Sequence, residues 1–201
     1  MMTRTAEIER ETRETKIRAA IDLDGGREIM VATGIGFLDH MLSTLAFHAG
    51  WDLELECSGD LEVDDHHTAE DCALVVGEAI DRALGDRAAV ARFGSAYAPL
   101  DEALARAVVD LSGRPWAEVD LGLQREMLGG LATENVSHVL VSVAMQLKAA
   151  VHIDVLRGGN DHHRAEAAFK ALALALRSAT ASSATNGVPS TKGTLGGSEV
   201  R

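Results

Sequence analysis

Along residues 15–23 the apolar side chains of Ile17, Ala19, Ile21 and Leu23 recur at every second position, which is the period of a strand with one buried face. Asp24-Gly25-Gly26 then supplies turn residues ahead of residues 28–33, so the pattern predicts a hairpin. Gly34-Ile35-Gly36 interrupts it. From Asp39 to Ala49 the period changes: Met41, Leu42, Leu45 and Ala46 fall at helical spacing. Residues 51–57 alternate again, with Trp51, Leu53, Leu55 and Cys57 set against Asp52, Glu54 and Glu56. After a polar loop, residues 67–84 read as a long helix with an acidic residue capping its start.

The same order returns in the second part of the chain. Residues 103–111 and 117–121 read as strands, 133–149 as a helix, 151–156 as a strand and 163–179 as a closing helix. Overlaying the two parts sets His40 on His138, His66-His67 on His162-His163, and Glu70 on Glu166. His40 precedes His66 by 26 residues, and His138 precedes His162 by 24. Little else is identical, so the likeness is architectural and predicts a pseudo-twofold axis. The expected organisation is a first half at residues 1–91, a second at 92–188 and a tail at 189–201, fused into one compact domain. The tail is rich in Gly, Ser and Thr, and its last residues are expected to lack order.

Composition narrows the function classes. A hydrophobic fraction of 46% in 201 residues is enough for a real core. A net charge of -12 repels nucleic acid and anionic membranes, so an anionic ligand needs a local cluster of cations. No stretch has the length of a membrane span or the apolar centre of a signal peptide, and the expected location is the cytoplasm. Cys57 and Cys72 lack CxxC spacing and read as buried thiols in a reducing compartment. The informative residue is histidine, because six of the eight belong to the repeated set.

In His66-His67-Thr68-Ala69-Glu70 the first imidazole and the carboxylate are four apart, on one helix face, and can reach a common ion. The helical repeat turns His67 about 100° from His66, so adjacent histidines serve different partners. Two such motifs across a twofold axis, completed by His40 and His138, offer six imidazoles and two carboxylates to two divalent ions. Octahedral ions would keep open positions for substrate or water. The competing reading is that these histidines only cap helix starts, but the doubled spacing favours ligation. Asp39, Asp64, Asp65 and Asp161 are expected to cap helices or accept ring N–H groups. His48, on the helix of His40, is expected near the pocket, and His152, on a strand, is expected to be an ordinary hydrogen-bonded histidine.

Five segments taken in order, Arg10-Glu11-Thr12-Arg13-Glu14-Thr15, Gly36-Phe37-Leu38-Asp39-His40-Met41-Leu42, His66-His67-Thr68-Ala69-Glu70-Asp71, His162-His163-Arg164-Ala165-Glu166-Ala167 and Pro189-Ser190-Thr191-Lys192-Gly193, resemble imidazoleglycerol-phosphate dehydratases of histidine biosynthesis. The resemblance covers nearly the whole chain. It implies an α+β fold of two tandem halves, each a four-stranded sheet with two helices on one face, like the second domain of ribosomal protein S5 (ribosomal protein S5 domain 2-like). It also implies two Mn2+ per active site, self-association into an octahedral homo-24-mer, and active sites formed between subunits.

The implied reaction removes water from imidazole glycerol phosphate to give imidazole acetol phosphate. The proton lost lies beside no carbonyl, so a base alone cannot generate a stabilised carbanion. Two cations on the ring nitrogens would let an electron-rich imidazolate help expel the neighbouring hydroxyl, giving a diazafulvene-like species whose side-chain proton is acidic. By motif match Glu14 is the acid/base group. Arg92, Arg114, Lys170, Ser190 and Lys192 are the expected phosphate contacts, with His48 as a further substrate contact. Lys170, four residues after Glu166, faces the same side of its helix. Two other classes fit part of the pattern. A metal-crosslinked shell protein would need neither Glu14 nor the phosphate cations, and a two-metal phosphate-ester hydrolase would lean more on aspartate ligands. Imidazole plus carboxylate accepts several divalent ions, so manganese rests on the resemblance alone.

Overall fold

The computed structural model describes residues 3–88 and 90–183, with Gly187, Ser190 and Leu195. The first half runs β1 (Thr5–Glu11), β2 (Thr15–Asp22), β3 (Ile29–Ala32), α1 (Gly36–Ala49), β4 (Asp52–Gly59) and α2 (His66–Leu84). The second runs β5 (Phe93–Leu100), β6 (Ala103–Asp110), β7 (Trp116–Asp120), a short pair β8 (Met127–Leu128) and β9 (Leu131–Ala132), α3 (Thr133–Gln146), β10 (Ala150–Arg157) and α4 (Asp161–Thr180). The strand orders are β1-β2-β4-β3 and β5-β6-β10-β7, the same topology twice.

Alternation decides which face of each sheet is buried. On β2, Thr15, Ile17, Ala19 and Ile21 turn inward, and on β6 Ala103, Ala105, Ala107 and Val109 do the same. Helices α1 and α2 cover the first sheet, while α3 and α4 pack on the second. The two helix layers then meet in the middle, α1 against α4 and α2 against α3. Exchanging the halves maps one of these contacts onto the other, as the pseudo-twofold predicts. Trp51, Leu38, Met41, Leu42 and Phe169 fill the interior.

The expected hairpin between residues 15–23 and 28–33 does not form. Strand β2 is flanked by β1 and β4, both antiparallel, and β3 instead pairs parallel to β4, with Ile29 opposite Leu53. Asp24-Gly25-Gly26 is therefore a turn that leaves the sheet and re-enters it beyond β4. The sequence reading also lacked β1 and β5, the strands that occupy the vacant edge of β2 and β6.

Helix ends fix the site. Gly50 closes α1 in the left-handed region at φ +84°, its N–H donating to the Ala46 carbonyl. At the other ends, Asp64 Oδ1 accepts from the His66 N–H at 2.8 Å and Asn160 Oδ1 from the His162 N–H at 2.9 Å. Each cap sets a His-His pair in the first turn of its helix.

Candidate metal centre

Two groups of donors gather where these first turns meet α1 and α3. His40 on α1 joins His162 and Glu166 on α4; His138 on α3 joins His66 and Glu70 on α2. Each cluster thus takes ligands from both halves, because the helix layers pair across the repeat. Within each cluster one nitrogen or oxygen per residue lies within 4.8 Å of the others. Ligands about 2.1 Å from a shared ion stand up to about 4.2 Å apart, so the groups need only a small contraction. Two imidazoles and one carboxylate suit a borderline divalent ion and leave coordination positions free.

The atoms are aimed accordingly. Glu166 Oε2 lies 3.2 Å from Nε2 of both His40 and His162, while its Oε1 accepts from Lys170 Nζ at 2.7 Å. Burial pushes the Glu166 carboxyl up, but the hydrogen bonds from Lys170 and His40 outweigh it and hold the carboxyl below its ordinary value. Glu70 places Oε1 3.0 Å from His138 Nε2 and Oε2 3.7 Å from His66 Nε2. The His66 and His138 rings stack with centroids 5.1 Å apart. His66 Nδ1 donates to Asn135 Oδ1 at 2.9 Å, which fixes the tautomer and turns the Nε2 lone pair toward Glu70. On the other cluster the buried Phe37 ring packs edge-on against His162, 5.2 Å between centroids.

His67 and His163 stand outside both clusters. His67 Nδ1 is held by Asp60 at 3.1 Å, and its Nε2 lies 3.8 Å from Glu14 Oε1. His163 Nδ1 is held by Glu102 at 2.8 Å, and its Nε2 lies 4.0 Å from Asp101. Both imidazoles are pushed up in pKa, first by those hydrogen bonds. One chain therefore assembles three protein ligands per cluster, not the four that sharing all eight residues equally would give. Glu14 sits in the turn between β1 and β2, half exposed, beside His67 rather than beside either cluster.

The aspartates expected to serve ring nitrogens do other work. Asp39 accepts from the Thr33 backbone and hydroxyl, Asp65 from the Ala132 N–H, and the buried Asp161 from the Gln124 and Arg125 N–H groups. Asp64 accepts from the His66 N–H at the start of α2, and Asp65 stands at the N-cap position there without a side-chain cap bond. The true ring acceptors are Asp60, Glu102 and Asn135. Asn135 and Phe37 each stand three residues before a cluster histidine, so helical spacing could have found them. Asp60 and Glu102 follow strand ends, where spacing carries no signal.

Among the described residues, the expected phosphate contacts are not gathered in one place within the chain. Lys170 is on Glu166, and His48 is near it, its pKa pulled down by burial and then by Lys170. Arg92 forks onto Asp110 at 2.7 and 3.0 Å, and its N–H donates to the Ala179 carbonyl at the far end of α4. That end lies roughly 25 Å along the helix from His162. Arg114 is exposed just ahead of β7, and His152 is exposed on β10. Ser190 is partly buried near the chain's end, and Lys192, with most of the tail, lies outside the described residues.

A sequence model of the family described as imidazoleglycerol-phosphate dehydratase matches residues 33–176, well over half of the chain. The chain belongs to the imidazoleglycerol-phosphate dehydratase family. The Scheffersomyces stipitis imidazoleglycerol-phosphate dehydratase is 54% identical over 221 residues, covering 96% of this chain and 100% of that protein. The Saccharomyces cerevisiae protein of the same name is 52% identical over 219 residues, covering 97% and 100%. The chain spans only 42% of the longer Phytophthora nicotianae relative, to which it is 58% identical over 192 residues. Among solved structures, the Staphylococcus aureus dehydratase superposes with a TM-score of 0.81 at 37% identity, covering 89% of this chain and 99% of that one. The Pyrococcus furiosus dehydratase, solved in complex with (S)-C348, gives 0.80 at 39%, covering 94% and 100%. As a dehydratase the chain is a hydro-lyase acting in histidine biosynthesis, and the two tandem α+β halves match those structures. No helix among the described residues is long and apolar enough to cross a membrane.

Proposed function

We propose that this dehydratase converts imidazole glycerol phosphate to imidazole acetol phosphate at a dinuclear site, with two divalent ions held by His40, His162 and Glu166 and by His66, Glu70 and His138. The observation that carries this reading is the pairing of two equivalent three-donor groups across the internal repeat. When bound, two such ions stabilise the anionic form of an imidazole ring by charge. Manganese is the ion we assign, from the family resemblance.

The chain's own residues supply the remaining chemistry. Asn135 orients His66, and Phe37 holds His162 in place, so the donors are arranged before any ligand arrives. Glu14 is the acid/base: its half-exposed carboxylate takes the side-chain proton, the neighbouring carbon–oxygen bond breaks, the proton leaves with the departing hydroxide as water, and the enol that remains tautomerises to the ketone. In the neutral rings the hydrogen bonds to Asp60 and Glu102 put the proton on Nδ1 and leave the Nε2 lone pair of His67 and His163 for a ligand. Those nitrogens complete the shells of a neighbouring subunit, which brings each site to four protein ligands. Lys170, Arg92, Arg114, Ser190, Lys192 and His48 contact the substrate, its phosphate above all, from more than one subunit.

Self-association into the octahedral 24-mer agrees with the surface. Phe93, Tyr97 and Trp116, each about 60% exposed, lie on the outer face of the second sheet. The outer face of the first sheet, with Glu7, Glu9, Glu54 and Glu56, is acidic instead. We assign the enzyme to the cytoplasm and its halves to residues 1–91 and 92–188, with the tail at 189–201. Replacing Glu14→Gln is expected to abolish turnover, measured as loss of water without phosphate release, while metal content stays at the wild-type level. Substantial residual turnover would remove Glu14 from the mechanism.

A further inference from the structure

The two donor groups occupy equivalent places in the repeat, yet their neighbours differ at two corresponding positions. One helical turn after Glu166 stands Lys170; one turn after Glu70 stands Leu74. Three residues before His138 stands Asn135; three before His40 stands Phe37. These differences reach the donor atoms. Glu166 commits Oε1 to the Lys170 ammonium at 2.7 Å and has only Oε2 aimed between His40 and His162. Glu70 has both oxygens facing imidazoles, Oε1 toward His138 and Oε2 toward His66. His66 also donates its Nδ1–H in a hydrogen bond to Asn135, which holds the ring in the tautomer that leaves Nε2 free for an ion. The equivalent residue on the other side, Phe37, offers His162 a ring edge and no acceptor.

We propose that the two metal positions are inequivalent: the group His66, Glu70 and His138 is the tight position that fills first, and Lys170 makes the group His40, His162 and Glu166 the weaker, exchangeable one. Three effects act in the same direction. Lys170 draws electron density from Glu166, repels an arriving dication, and limits the carboxylate to one free oxygen. Glu70 meets none of these costs, and the hydrogen bond to Asn135 fixes its partner imidazole in the ligating tautomer. Lys170 is thus a positioning and tuning residue for the second ion, beyond its expected contact with phosphate. The inference rests on the dinuclear reading above.

Titration of the metal-free full-length protein with MnCl2, followed by calorimetry and by the electron paramagnetic resonance of free Mn2+, tests it. Two classes of one ion per chain are expected, separated by about tenfold or more in dissociation constant. His138→Ala should remove the tight class and His40→Ala the weak one. Lys170→Met should tighten the weak class by about tenfold, and the reciprocal Leu74→Lys should loosen the tight class by a similar factor. Two equal classes, loss of the tight class in His40→Ala, or a gap unchanged by Lys170→Met would overturn the inequivalence while leaving a dinuclear site standing. A wild-type chain that takes up no Mn2+ would overturn the dinuclear reading as well.

Discussion

Glu102 accepts from the His163 ring nitrogen at 2.8 Å and from the N–H groups of Asn160 and Gly159 ahead of α4. Those bonds, the one from His163 first, bring its carboxyl from an ordinary 4.5 down to about 2. A lowered carboxylate stabilises the fold above its unfolded value, and that contribution disappears as pH falls from 4.5 toward 2. Glu102→Gln is therefore expected to lower the urea midpoint at pH 6 and to flatten its decline between pH 4.5 and pH 2 relative to wild type. Parallel declines in the two proteins would count against the assignment. At this scale the sequence revealed the donors and hid their supports. His66 to Glu70 and His162 to Glu166 are local spacings, fixed by the helix itself. The contacts from Asp60 to His67 and from Glu102 to His163 join separate elements, and nothing local records them. The same limit hides the roles of Asp39 and Asp161, each of which reaches a backbone N–H in another segment.

Among elements, the contact of α2 with α3 brings His138 to Glu70, and it depends on Gly77. A Cβ there would lie 2.6 Å from the Val143 carbonyl oxygen and 2.9 Å from Gln146 Cβ. Gly77→Ala is expected to destabilise the protein by about 1–3 kcal/mol, read from urea unfolding, by forcing the helices apart. It should also weaken Mn2+ binding at the His66, Glu70 and His138 group more than at the other. The helices and inner strands were legible because their apolar residues repeat at 3.6 or 2 positions. Strand β1 was not, since it buries only Ile8 among glutamates, and β5 turns Phe93 and Tyr97 outward. The turn at Asp24-Gly25-Gly26 was legible as a turn but not in its destination. Which strand a chain pairs with after a turn depends on edges already taken, and β1 and β4 hold both edges of β2.

On the scale of the whole molecule, the chain presents half-finished features: two imidazoles outside the clusters, the expected phosphate contacts Lys170 and Arg92 set apart at the middle and the far end of α4, and an aromatic face on water. All three are completed by neighbouring subunits in the account given above. Trp116→Glu, at the edge of that face, is expected to shift the particle to smaller species in sedimentation velocity; an unchanged distribution would place the contacts elsewhere. Sequence could name Arg92 and Arg114 by motif but not their partners, because a site shared between chains, as proposed, would leave no spacing within one. The decisive measurement is anomalous diffraction at the manganese edge from crystals of the Mn2+-loaded protein. Two peaks per chain are expected, one within roughly 2.0–2.3 Å of donor atoms of His40, His162 and Glu166 and the other of His66, Glu70 and His138. A single peak, or peaks away from these six residues, would contradict the account.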